Sequence, residues 1–249
     1  TQQQLMRGNF TTSGGTTKLV DYYNIDINAD AANWSTTSTF ADAGNVNMAS
    51  SCKLTGTLNV NAPAVFRMDK TDAISNGTGS SQVINIKDYA GLLYGSPNGI
   101  KNSGTGTSDG NFRTSGTRNF SSKASYGFIS SGDMVTGNGL PATVNGLYVY
   151  KFDPTDKVTL TATVRADSIL KMSSGHIITG SSFFVELGKD VINRGTLDYN
   201  TGYVVGKMRR WYNGTNSGNA SGLFPLGEDI SGTLRNRKYL IEFSSAPSS

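Results

Sequence analysis

Apolar residues in this chain recur in short alternating runs rather than in helical stripes. Lys157 to Leu187 shows it best: KVTLTATVRADSILKMSSGHIITGSSFFVEL holds four apolar runs separated by Ala-Asp, Ser-Ser-Gly or Gly-Ser-Ser. Val158 and Leu160 share a face, as do Leu170 and Met172, and Val185 and Leu187. A period of two marks a strand with one buried face, and no 3.6-residue stripe crosses the breaks. The connections leave little room for crossover helices. The expected fold is therefore all-β: a parallel β-helix, or β-solenoid, in which strands of successive turns stack and their inward side chains form ladders.

The same texture runs from Asn45 to Ile86, where Val46, Met48, Leu54, Leu58, Val60, Phe66, Met68, Val83 and Ile86 fall between corners at Gly56, Pro63 and Asn76-Gly77. Thr55-Gly56-Thr57-Leu58-Asn59-Val60 has the build of Thr159-Leu160-Thr161-Ala162-Thr163-Val164, a weak internal similarity of the kind stacked rungs leave. Before it, Leu19–Ile27 reads as one strand with Tyr23, Ile25 and Ile27 on a common face. Trp34 and Phe40 are placed to cap the open end of the core. Thr105 to Asp109 reads as a mobile loop. Asn145-Gly146 fits either a hairpin turn, which would favour a β-sandwich, or a bend into the next rung; the short preceding flank favours the bend. The expected division is 1–44, an irregular β-rich N-terminal cap; 45–190, the solenoid; and 191–249, a β-rich C-terminal module.

Composition narrows the function. Thirty glycines and only 16% charged residues could suggest disorder, but the spaced Val, Ile, Leu, Phe and Tyr argue for order. A dispersed net charge of +4 points away from nucleic acid. No stretch approaches the roughly 18 apolar residues that cross a bilayer. The lone Cys52 excludes an intrachain disulfide framework and is expected to be a small buried residue. With no initiator Met and no signal peptide, the chain is expected to be a mature or trimmed portion of a longer secreted protein.

Candidate chemistry is sparse. Asp26, Asn28 and Asp30 open like a calcium loop, but Ala31 replaces the turn glycine and no bidentate Glu follows, so a solvated strand face is expected. Asp69 and Asp72 are the best paired carboxylates and the basis of a β-helix polysaccharide lyase or hydrolase alternative; Lys70 between them and a strand-end position argue for ordinary polar corners. Glycines 104–116 lack the Lys-Ser/Thr end of a phosphate cradle. His176 has neither a second imidazole nor a nearby acid in sequence. Arg210, Trp211 and Tyr212 form a basic aromatic run that either contacts glycans or covers exposed strand edges at the end of the solenoid. No catalytic residue, metal site or cofactor is assigned.

Four passages carry a resemblance: Gly95-Ser96-Pro97-Asn98-Gly99-Ile100, Gly116-Thr117-Arg118-Asn119-Phe120, Val135 through Val144, and Ser173-Ser174-Gly175-His176-Ile177-Ile178-Thr179-Gly180. Together with Gly202–Gly206 and Phe224-Pro225-Leu226-Gly227, they resemble the repeated wording of large surface adhesins of Bacteroidota exported by the type IX pathway, over roughly residues 45–245. The resemblance implies an extracellular right-handed β-helix in a stalk or adhesive shaft at the cell surface. It also implies glycan or protein partners outside the cell, neighbouring domains of a longer chain and the type IX export machinery. Asp167-Ser168-Ile169 resembles the O-glycosylation acceptor used in these bacteria, making Ser168 the implied site, although a strand start with a solvated Asp is the favoured reading. Asn-x-Ser/Thr triplets such as Asn33-Trp34-Ser35 are expected by chance in so Asn-rich a chain.

Overall fold

The computed structural model describes residues 4–6, 9–11, 17–28, 45–79, 81–211 and 222–241. Trp34, Phe40, Asp30, Tyr212 and the Asn33 triplet lie outside them. The described chain is nearly all β, with a single 3-10 turn at Thr107–Asp109. That turn replaces the expected mobile loop: the Asp109 carboxylate accepts the Gly106 N–H at 2.7 Å.

Parallel pairing dominates. Sheet I has ten strands, from Gln4–Met6 through Asn45–Met48, Val65–Met68, Gly91–Tyr94, Ser125–Phe128, Thr143–Tyr150, Val164–Ser174 and Val185–Leu187 to Met208–Arg210, with Thr196–Tyr199 also on Val164–Ser174. Sheet II holds Asp21–Tyr22, Cys52–Leu54, Ile74–Asn76 and Phe112–Arg113; sheet III holds Ile25–Ile27, Thr57–Val60, Val83–Ile86 and Thr117–Phe120. Sheet IV begins at Met134–Val135 and continues through Lys157–Thr159, His176–Ile178 and Val204–Val205 to Leu226–Ile230. The chain thus visits I, II and III in turn up to Phe128, then alternates between I and IV.

Register makes the ladders. Val46, Phe66, Leu92, Tyr126, Leu147, Leu170 and Leu197 stack in sheet I; beside them stand Met68, Tyr94, Phe128, Val149, Met172 and Tyr199. Inward residues of all four sheets belong to one continuous hydrophobic cluster. Each rung buries its apolar face on the rungs beside it, which strands this short cannot do alone. Partners in neighbouring parallel strands lie as few as 19 residues apart (Val158 to Ile177) and as many as 42 (Met6 to Met48), so no exact repeat survives in the sequence. Two corners stack where glycine is required: a Cβ on Gly99 (φ +69°) would lie 2.3 Å from the Val135 oxygen, and one on Gly137 (φ +79°) 2.2 Å from the Ile100 oxygen.

Several expectations need correction. The parallel ladders are not confined to 45–190: sheets II and III begin at Asp21–Tyr22 and Ile25–Ile27, and sheet IV stays parallel to Leu226–Gly227 before Thr233–Asn236 turns antiparallel. Leu19–Ile27 is broken into short strands, and Tyr23 is 73% exposed rather than facing the core. The Ala166-Asp167 break lies inside one strand, Val164–Ser174. Asn145-Gly146 is neither hairpin nor corner; it lies within Thr143–Tyr150 at a register shift, where a bulge bends the strand without ending it. The two similar hexapeptides serve different purposes: Thr57–Val60 is a strand of sheet III, whereas Thr159–Val164 is mostly the corner between Lys157–Thr159 in sheet IV and Val164–Ser174 in sheet I.

Candidate functional site

Asp69 and Asp72 form a corner after the strand Val65–Met68. The Asp72 carboxylate accepts the Asp69 N–H at 2.7 Å, and Arg67 holds the half-exposed Asp69 carboxylate at 3.0 Å. Burial pushes the Asp72 carboxyl above its ordinary range, the Asp69 N–H opposes this, and the Asp69 charge adds to it. Asn111, fully buried, donates from Nδ2 to the carbonyls of Asp69 (2.8 Å) and Asp72, and accepts the Ser96 N–H at 3.0 Å. The pair is thus tied into a three-corner junction, with one carboxylate facing its own turn and the other an arginine.

Beside this junction the inward stack Leu58–Ile84 continues to Arg118 in the last strand of sheet III. Its buried guanidinium donates to the carbonyls of Lys101 (2.9 Å), Thr114 (3.0 Å) and Gly104. The long excursion between Tyr94 and Phe112 is fastened there, where sheets II and III end.

Arg210, in the last strand of sheet I, is buried: it donates to the Leu223 carbonyl at 2.6 Å and lies 5.9 Å from the Phe224 ring centroid. Trp211 is 38% exposed, and its N–H bonds the Leu187 carbonyl at 3.0 Å. Of the two predicted glycan contacts among the described residues, Trp211 meets solvent and Arg210 is committed to the packing that follows sheet I. His176 is buried, accepts the Tyr203 N–H at Nδ1 (3.1 Å) and packs on the Tyr203 ring at 4.8 Å. Burial and Lys157 hold its pKa below the ordinary imidazole value. Cys52 is fully buried, and its thiol is pushed up to about 12, mainly by burial, with Asp21 and Asp72 adding to the shift. Asp26 accepts from Asn59 at 2.8 Å and Asn28 from Asn61 at 3.0 Å, so both serve rung-to-rung bonding. Among the described residues no group of three or more His, Cys, Asp or Glu is arranged to hold a metal.

Ser168 is exposed at the register shift in Val164–Ser174, and its hydroxyl donates to Asn145 Oδ1 at 2.7 Å. Asn145 Nδ2 in turn donates to Ser125 Oγ at 3.3 Å. Ser168 and Asn145 lie in an open groove also lined by Tyr89, Lys123, Lys189 and Arg194, with Ser125 buried behind them. Asp167 beside it is neutralised by Arg165 Nε at 2.6 Å.

No family model, curated protein or solved structure matches the chain. The residues must speak for themselves. Sequence reasoning singled out Ser168 only as an O-glycosylation acceptor implied by the resemblance and did not foresee the groove, because Tyr89, Lys123, Asn145 and Arg194 share no motif. Only the register Gly91–Ser125–Gly146–Ile169–Thr196 brings their corners into line.

Proposed function

We propose that the chain winds as a right-handed β-helix, closed by a β-rich C-terminal cap, and serves as a non-catalytic structural and adhesive segment of a large surface protein outside the cell. The observation that carries this is sheet I, whose parallel ladder runs from Gln4–Met6 to Met208–Arg210. Right-handedness follows the general rule for connections between parallel strands, which the intrinsic strand twist dictates. Rungs meet on more than one sheet, so an axial pull loads several sets of backbone bonds at once. The resemblance to Bacteroidota adhesins supplies the context: secretion by the type IX route, presentation at the cell surface, and glycan or protein partners there. It also supplies O-glycosylation at the exposed Ser168, which an intact-mass measurement on protein from the native host tests directly. Asp69 and Asp72 act as corner residues in this reading, so purified protein should show no polysaccharide turnover. Single-molecule extension between the chain ends tests the mechanical role. Discrete high-force rupture steps are expected, and smooth low-force stretching of a flexible polymer would defeat the reading. A carbohydrate-binding module is the second reading, favoured by the exposed indole of Trp211. Loss of glycan binding in Trp211→Ala with folding intact would promote it.

A further inference from the structure

We infer that the groove along the entry corners of sheet I binds an extended acidic polysaccharide, with Tyr89 as its stacking platform and Lys189 and Arg194 as its cations. The residues entering five successive rungs of sheet I lie in line, because Gly91, Ser125, Gly146, Ile169 and Thr196 are in register. At about 4.8 Å per rung, the four steps span roughly 19 Å, long enough for an extended chain.

Tyr89 stands at one end. It is 63% exposed and held at φ +60°, a left-handed conformation that a bulky residue adopts only against steric cost. Its N–H bonds the Lys123 carbonyl at 3.0 Å, and the Ala90 N–H closes the turn on Lys87 at 3.1 Å. Glycine would fit this backbone without strain, so the ring stays in water at a cost that the packing does not recover, the pattern of a functional outlier. At the other end the loop after Leu187 is rigid: the Asp190 carboxylate accepts the N–H groups of Ile192 (2.9 Å) and Asn193 (2.7 Å). That loop holds Ile192 85% exposed at the groove's lip.

The floor is chemically suited to hydroxyls. Ser168 and Asn145 line the groove as a hydroxyl–amide pair with capacity for further bonds, and the buried Ser125 hydroxyl behind them accepts from Asn145 and fixes its amide. Charge selects the acidic class. Lys123 is paired with Asp88 at 3.2 Å and Asp167 with Arg165, but Lys189 and Arg194 form no ion pair among the described residues. An extended peptide fits less well, because sheet I is paired on both sides here and offers no edge for strand addition. Single-stranded nucleic acid would need a row of aromatic platforms, and the groove has one.

The inference goes beyond the mechanical reading and does not depend on it, since a shaft without a ligand would extend and rupture in the same way. The test is calorimetric titration of the full chain, made in a host that leaves Ser168 unmodified, with oligogalacturonate. Neutral dextran, polyglutamate and poly-dT serve as comparison probes. Salt-sensitive binding of oligogalacturonate is expected. It should weaken about tenfold in Tyr89→Gly and by a similar factor in the Lys189→Glu, Arg194→Glu double variant. Tyr89→Gly should not lower the melting temperature, because it releases left-handed strain, so lost binding there is not lost folding. No binding of oligogalacturonate, equal binding of any comparison probe, or wild-type affinity in both variants would overturn the proposal.

Discussion

Residues 21–128 and 134–227 bury the same kind of core in different ways. The first region distributes its strands in turn among sheets I, II and III, with two to four residues in each. The second uses sheets I and IV, and lets Thr143–Tyr150 and Val164–Ser174 run eight and eleven residues through a bulge. Short strands contribute few backbone bonds per rung, and the first region adds side-chain ladders outside. Asn119 donates to Asn85, Asn85 to Asn59 and Asn59 to Asp26, each at 2.8 Å, a one-way relay ending on a carboxylate. The described residues of the second region carry no comparable chain of amides. Its long strands bend instead, and one strand covers two faces. Corners therefore need not be breaks in the pattern. A bulge turns the chain while the ladder continues.

The largest test of this contrast removes an aromatic that both regions share. Phe128, fully buried, lies between Tyr94 below and Val149 above. Phe128→Ala should cost about 3–5 kcal/mol and lower exchange protection on both sides of it, at Gly91–Tyr94 and at Thr143–Tyr150. Leu170→Ala, deeper in the second region, should cost about 2–5 kcal/mol with a single site of loosening there. Urea denaturation with hydrogen exchange resolves the two cases. Equal, uniformly spread losses of protection would mean that the regions are one unit.

Next in size is the junction. Asn111→Ala leaves the Asp72 carbonyl and the Ser96 N–H without their side-chain partner, reduces the Asp69 carbonyl to its bond from the Asp72 N–H, and should cost about 2–4 kcal/mol. Exchange should rise first at Tyr94–Phe112 and at the Asp69–Asp72 corner. If protection falls only in sheet IV, the junction does not organise the change from three sheets to two.

How much of this was legible follows the same division. Alternation identified the buried faces correctly at Val158, Leu160, Leu170, Met172, Val185 and Leu187, because a period of two is a local property. Cys52 was placed correctly by its apolar neighbourhood. Sheet membership was not legible, since Thr55–Val60 and Thr159–Val164 look alike, yet the first holds a strand of sheet III and the second is mostly a corner between sheets IV and I. Tyr23 misled for a related reason: it sits at the corner between Asp21–Tyr22 and Ile25–Ile27, where alternation lapses. Of the candidate site, the sequence marked Ser168 only through a resemblance to a glycosylation acceptor. Tyr89, Asn145 and Arg194 were not marked, because rung lengths that vary from one circuit to the next hide which corners meet.

A smaller effect probes the outer relay. Asn85 both donates and accepts within it, whereas Asn119 ends it. Asn85→Ala should cost about 1 kcal/mol and Asn119→Ala about half as much, read from urea midpoints. Equal costs would show that the amides act singly rather than as a ladder.

The smallest expected effect is a pH response confined to the second region. His176 is buried in sheet IV with its Nδ1 accepting the Tyr203 N–H, an arrangement that requires an unprotonated Nδ1. Burial, with Lys157 nearby, depresses its pKa in the fold, so the unfolded chain takes up the proton first as the pH falls. His176 then contributes stability that is complete above its ordinary pKa of about 6.5 and is lost as the pH drops toward the depressed value. Asp72 works in the opposite sense, because its raised carboxyl favours the protonated folded state. Asp72 belongs to the first region, so exchange protection separates the two. Between about pH 7.5 and 5, amides of His176–Ile178 and Val204–Val205 should lose protection while those of Ile74–Asn76 hold. His176→Phe should abolish the response. If the same decline persists in that variant, the imidazole is not its source, and the two regions answer to acid as one body.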